Sequence, residues 1–254
     1  MMLSYRFALQ LLFSLTDFEL ARNLPDGVRK PDLIRMEELM KRMGYPNEGI
    51  PAVHIAGTKG KGSVALMVSS VLVAGGFQVG LFTSPHLHRF TERIRINGKE
   101  ISQDLFAEQL EKIWPLVESM GREGQRGKPS IFELLNGMAL QLFKENQLDF
   151  QVLEVGLGGR LDSTNVVHGE VVVITALSLD HTEVLGSDIE SIAREKAGII
   201  KQGSRVVLSP QDPEVEGLIQ EICKAHEAQL WTLGKEVTWR VDSTGLSGQI
   251  VTVT

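Results

Sequence analysis

The chain has 254 residues, 43% of them hydrophobic and 23% charged, enough apolar material for one large core. A formal net charge of −6 argues against a broad nucleic-acid-binding surface and leaves room only for a local basic cleft. A single cysteine, Cys223, excludes an internal disulfide framework and a thiolate metal cluster, and points to a reducing, cytoplasmic setting.

The first apolar run, residues 7–13, is too short to span a bilayer, precedes acidic residues and lacks a small-residue cleavage site. It reads as a docked amphipathic helix. Residues 31–43 place Leu33, Met36, Leu39, Met40 and Met43 on one helical face, with Gly44 as a stop. A buried strand is predicted over 51–56, a helix over 63–74 and a second strand over 77–83. Helices follow over 103–120 and 131–146. Residues 149–155 and 171–175 are nearly continuous apolar strands, of the kind found in a parallel sheet covered on both faces. Next come a helix over 189–200, a strand over 205–208, a helix over 213–228 and a strand over 229–232. This alternation predicts an α/β fold: a P-loop-type, doubly wound, mostly parallel sheet flanked by helices. Residues 237–240 and 249–254 instead alternate apolar and polar side chains around Gly245 and Gly248, the start of a small antiparallel β segment.

Between the first strand and its helix lies His54-Ile55-Ala56-Gly57-Thr58-Lys59-Gly60-Lys61-Gly62-Ser63. In a strand–turn–helix setting such glycines leave backbone N–H groups to surround a phosphate. Lys61 can neutralise it, and the Ser63 hydroxyl can reach a bound Mg²⁺. The usual phosphate-loop pattern is altered, because Ile55 stands where its first Gly belongs and Gly62 separates Lys61 from Ser63. The plainer alternative is a turn that caps a helix and leaves Lys61 exposed.

Four more segments lie at strand ends or in following loops, the edge where open α/β sheets bind ligands. Ser84, in Thr83-Ser84-Pro85-His86-Leu87, is either an oxygen ligand for Mg²⁺ or a turn residue before proline. Glu154 ends an apolar strand ahead of Gly156-Leu157-Gly158-Gly159-Arg160-Leu161-Asp162. It can hold a metal against phosphates or pair with Arg160, and its three neighbouring glycines suggest close backbone approach to a ligand. Asp180-His181 follows the strand over 171–175; His181 there suits metal binding or proton transfer, or is simply exposed. Arg194-Glu195-Lys196-Ala197-Gly198-Ile199 reads locally as the solvated face of a helix.

Taken together, residues 57–63, 83–87, Glu92-Arg93-Ile94, 154–165, Leu179-Asp180-His181 and 194–199 resemble, in order and spacing, the bacterial folylpolyglutamate synthase/dihydrofolate synthase family of the Mur ligase superfamily. The resemblance extends over residues 31–233. It implies an ATP- and Mg²⁺-dependent carboxylate–amine ligase, forming a C–N bond between L-glutamate and dihydropteroate or the glutamate tail of a folate through an acyl phosphate. By this resemblance Gly57, Thr58, Lys59, Gly60, Lys61, Gly62 and Ser63 cradle the phosphates, with Lys61 stabilising charge during transfer. Ser63 lies near the metal that accompanies ATP, and Ser84, Glu154 and His181 hold a second metal. Lys196 matches a lysine that is carbamylated in the family, a change from cation to anion able to orient Mg²⁺ that requires a neutral amine. Lys61, Lys196 and His181 are thus the catalytic candidates. Arg93, with residues 86–95, Ser130 and Phe132 are implied on the pteridine side, though Phe132 is locally just as well an ordinary core aromatic.

The expected partners are therefore ATP, L-glutamate and folate or dihydropteroate, in a protein that is a monomer when full length, with no nucleic acid and no membrane. Two features depart from the family: Lys59 replaces an asparagine in the glycine loop, and the family continues into a smaller α/β domain. The resemblance implies residues 1–235 as the ATPase domain with N-terminal helices, 236–254 as a truncated β segment, and an absent C-terminal ligase domain. Two rival readings are a Mur-type ligase acting on a cell-wall precursor and a catalytically silent nucleotide-binding module.

Overall fold

Short runs of β-branched and small apolar residues pair side by side to make one sheet, and the longer periodic segments fold back over it. The computed structural model describes residues 3–17, 33–124, 126–180, 182–246 and 248–254. Helices α1 (Tyr5–Leu12) and α2 (Leu33–Arg42) lead into β1 (Ala52–Ala56), α3 (Lys61–Ala74) and β2 (Val79–Phe82). The short strands β3 (Ile94–Ile96) and β4 (Lys99–Glu100) precede α4 (Gln103–Glu123), α5 (Ile131–Glu145), β5 (Phe150–Glu154) and β6 (Gly169–Ile174). Then come α6 (Thr182–Leu185), α7 (Ile189–Ala197), β7 (Arg205–Leu208), α8 (Pro213–Ala225) and β8 (Gln229–Thr232). Strands β9 (Trp239–Gly245) and β10 (Gly248–Val253) pair only with each other.

The large sheet has the order β4-β3-β2-β5-β1-β6-β7-β8, parallel throughout except for the antiparallel β3 and β4 at one edge. Its register decides where the site lies. Phe82 stands opposite Leu153, and Ile55 stands between Glu154 and Val173. The carboxyl ends of β2, β5, β1 and β6 therefore finish level, and the loops after Phe82, Glu154, Ala56 and Ile174 share one rim.

The two faces of the sheet are covered unequally. Phe82 and Leu153 pack with α1, α2, α4 and α5, while Val172, Ile174, Val206 and Leu208 pack with α7 and α8. The opposite face carries α3, whose Ala65, Val64, Val68 and Leu72 meet Val53, Ile55, Leu81 and Val152. Strand β5 is accordingly buried from Gln151 to Glu154, as its apolar run predicts. Strand β6 is not: Val171 and Val173 remain partly exposed, because α3 packs over β1, β5 and β2. Cover on both faces is therefore complete for β5 and partial for β6, where Val171 and Val173 meet only the margin of the α3 cluster.

The N-terminal helices behave as amphipathic docks. Ser4 caps α1, which buries Ala8 and Leu12, and α2 buries Met36, Leu39 and Met40 before Gly44 turns the chain at φ +77°. Residues 31 and 32 of the segment read as 31–43 lie outside the described residues. Buried Arg35 on α2 grips Glu133 of α5 with two hydrogen bonds, 2.6 and 2.8 Å long. Among the described residues no helix is long and apolar enough to cross a membrane.

Candidate active site

The first glycine turn leaves β1 at Gly57, whose φ of +147° brings its backbone against Thr175 at the end of β6. A Cβ here would stand 1.8 Å from Thr175 Oγ1. The N–H groups of Thr58 and Lys59 both point to the carbonyl of Ala176, at 3.0 and 3.3 Å. Both are engaged within the protein in this structure. Gly60, at φ +87°, is the N-cap of α3 and makes no side-chain cap. Lys61, Gly62 and Ser63 then form the first helical turn, half-exposed at Lys61 and Gly62 and open at Ser63. Unpaired N–H groups and the helix dipole make such an end attractive to anions. The Lys59 side chain is exposed beside it.

Glu154 stands against that helix end. A Cβ on Gly62 would lie 3.3 Å from both of its carboxylate oxygens. Burial pushes the Glu154 carboxyl above the usual range, opposed by the Ser84 N–H, the charge of Lys61 and the Gly62 N–H. The Ser84 amide donates to Glu154 Oε2 at 3.1 Å, so β2 and β5 bring these two residues side by side although seventy positions separate them. Glu154 thus presents a carboxylate of the kind Mg²⁺ takes together with water and phosphate, beside the first turn of α3, where Ser63 is exposed. Among the described residues no group of three or more His, Cys, Asp or Glu gathers as a metal cage. His181 lies outside the described residues, and its neighbour Asp180 is exposed.

Lys196 enters the rim from α7. It is only 3% exposed, contrary to the local reading of residues 194–199 as a solvated face, which holds for Arg194. Its Nζ donates to the carbonyl of Gly57 at 2.9 Å. Burial, reinforced by the charge of Lys61, lowers the Lys196 amine to about 8, against the opposing pull of Asp180 and Asp162. The rim thus holds a lysine that is mostly protonated near neutrality but far closer to its neutral form than an exposed lysine is.

A buried polar chain below the rim was not singled out from the sequence. Asp162 accepts from the Leu157 N–H at 2.9 Å and from the Thr164 hydroxyl at 2.5 Å. Thr164 Oγ1 in turn lies 2.8 Å from His54 Nε2 in the middle of β1. Since the hydroxyl proton goes to Asp162, His54 must donate through Nε2, which leaves Nδ1 bare and without a partner. Burial holds His54 down to about 3, so the ring is neutral. Asp162 belonged to a visible motif, but nothing local marks His54 as its distant partner.

The remaining candidates occupy the neighbouring loop and α5. Arg93 is buried, donates from Nε to His86 Nδ1 at 3.0 Å and stacks over Phe90. The Ser130 hydroxyl caps α5 by accepting from the Glu133 N–H, while Glu133 reaches back to the Ser130 N–H. That Ser-x-x-Glu pattern is a sequence signal for a helix start. Phe132 packs on Phe82 and lies against Gly156, where a Cβ would come 2.6 Å from its ring. Phe132 therefore touches the turn that follows Glu154, whereas the Ser130 hydroxyl is committed to the cap.

The family described as Mur ligase middle domain matches residues 55–246. A curated relative from Bacillus subtilis, named dihydrofolate synthase/folylpolyglutamate synthase, is 42% identical over 205 residues, covering 80% of this chain and 47% of the relative. Among solved structures, the folylpolyglutamate synthase of Thermotoga maritima aligns with a TM-score of 0.87 at 34% identity, over 98% of this chain and 54% of that one. The Mycobacterium tuberculosis folylpolyglutamate synthase complexed with ADP and AMPPCP aligns with a TM-score of 0.84 at 38% identity, over 88% of this chain and 52% of that one. The chain spans about half the length of the curated relatives it matches. With the match running from β1 through the glycine turns, the level strand ends and α7, this chain belongs to the Mur ligase family through its middle domain.

Proposed function

We propose that this chain carries the nucleotide-binding half of an ATP-dependent carboxylate–amine ligase that adds L-glutamate to a folate, to dihydropteroate, or to both, through an acyl phosphate. Residues 1–235 form the ATPase unit in this reading. The observation that carries it is the convergence of Glu154, Lys61 and Lys196 on the open end of α3. Phosphoryl transfer needs little covalent help from protein; it needs phosphates held in place and their growing charge offset. The first turn of α3 and Lys61 supply both. Ser63 would lie near the Mg²⁺ that accompanies ATP, and Ser84, Glu154 and His181 would hold a second metal; such ions would neutralise phosphate charge and orient the nucleotide. Lys196, kept partly neutral by burial, is suited to carbamylation. The folate side draws on Phe132 against Gly156 and on the loop that carries Arg93. The names of the relatives, and the ADP and AMPPCP bound to one of them, support the same assignment.

Calorimetric titration with AMPPCP tests it. Binding is expected to require Mg²⁺, and Glu154→Gln is expected to weaken the metal-dependent part by at least about tenfold. Pteroate should bind the same chain while a UDP-muramoyl peptide should not. Nucleotide affinity indifferent both to Mg²⁺ and to Glu154→Gln would end this reading.

A further inference from the structure

Three glycines within four residues suggest a turn that hugs a ligand, yet the second glycine turn hugs the end of a helix. An α-helix leaves its last carbonyls without internal partners. In α7 the Gly198 N–H closes back onto Arg194 O and Glu195 O. The rest of the cap arrives from residues 159–165. The Arg160 N–H donates to Glu195 O at 2.7 Å. Asn165 Nδ2 donates both to Gly198 O at 3.0 Å and to Arg160 O at 2.9 Å, clipping helix end and turn together.

The contact is backbone against backbone. A Cβ on Gly159 would fall 2.7 Å from Glu195 O, 2.8 Å from Lys196 O and 2.9 Å from Lys196 Cα. A Cβ on Gly198 would fall 2.4 Å from Arg160 Cβ and 2.7 Å from Arg160 Cα. None of these atoms is the loose end of a flexible side chain, so neither glycine can gain a methyl group without moving α7 and the turn apart. Lys196 is the residue touched, and its ammonium reaches the Gly57 carbonyl from that anchored backbone.

We propose that Gly159, Gly198 and Asn165 are positioning residues for Lys196: the second glycine turn is a helix cap that sets the height of the lysine at the first glycine turn. This rests on the reading of Lys196 as a functional lysine. Displacing α7 draws Nζ away from Gly57 O and leaves a buried donor unpaired, a state that resolves by swinging the amine out to water. The Arg160–Glu195 ion pair crosses the same seam at 2.7 Å, but its guanidinium is exposed and it adds little.

The test is acetylation of the folded chain with acetic anhydride across a pH series, read at the Lys196 peptide by mass spectrometry. In the unaltered chain Lys196 should label with a midpoint near 8. Gly159→Ala and Asn165→Ala should each move that midpoint upward, toward an exposed lysine, and raise the plateau rate several-fold. Arg160→Ala should match the unaltered chain. If Gly159→Ala does not fold, Asn165→Ala decides alone. An unchanged midpoint and rate at Lys196 in a folded variant overturns the proposal. Titration of the same samples with Mg·AMPPCP separates the two readings. If the unaltered chain binds no nucleotide while the variants still release Lys196, the functional reading fails and the cap stands.

Discussion

Residues 57–63 and 156–162 each follow a buried parallel strand, each is rich in glycine, and both reach the same rim, yet they meet opposite ends of helices. The first turn enters the N-terminus of α3 and leaves it open; around the Cβ position of its capping Gly60 nothing lies within 4 Å. The second closes the C-terminus of α7 with the Arg160 N–H and the Asn165 amide. An open N-terminus offers donors to an anion, whereas a closed C-terminus holds a neighbour still. Glycine content announces that something comes close. It does not announce whether that is a ligand or the protein's own backbone.

The comparison can be broken at several points. Its largest lever is the chain His54–Thr164–Asp162, which ties the second turn to the strand that feeds the first. His54 is held near 3 when folded and titrates near 6.5 when unfolded, so its contribution is complete above 6.5 and is lost as pH falls toward 3. Urea unfolding should therefore show roughly 3 kcal/mol lost through this group between pH 7 and pH 4. The His54→Leu variant should have a flatter profile, and identical slopes would remove the chain from the argument. Next, Lys61→Ala should cost about 100-fold in Mg·AMPPCP affinity, because the charge opposite the phosphates disappears. Calorimetry that finds both affinities equal would take the first turn out of nucleotide binding.

Stability should then follow the second turn. Gly159→Ala is expected to cost about 2 kcal/mol by overpacking. Gly60→Ala, which meets empty space and suffers only from its positive φ, should cost about 1 kcal/mol. Equal losses in paired denaturant melts would erase the distinction between the turns. The smallest effect belongs to Arg160→Ala, whose ion pair is exposed and should be worth under about 0.5 kcal/mol. A larger loss in the same melts would mean that the side chain, and not the backbone, holds the seam.

Much of the architecture was legible in one dimension. The apolar runs at 205–208 and 229–232 become β7 and β8 without a shift of boundary, and the alternation around Gly245 and Gly248 becomes the β9–β10 hairpin. Elsewhere ends moved by a few residues, as for α7, which stops at Ala197 where Gly198 caps it. Hydrophobic period, glycine and helix caps act over a handful of neighbours, so the sequence by itself determined the strand–turn–helix order, the α/β class and the placing of Lys61, Ser84 and Glu154 at loop mouths. Only the tertiary structure decided that Lys196 is buried, that Ala176 takes the N–H groups of Thr58 and Lys59, that β6 keeps one face half open, and that the second glycine turn caps α7. Each of these depends on the strand order β2-β5-β1-β6, which brings together groups up to 139 residues apart, as at the Lys196 side chain and the Gly57 carbonyl. Such meetings are set by packing between distant elements, and no local pattern of residues encodes them.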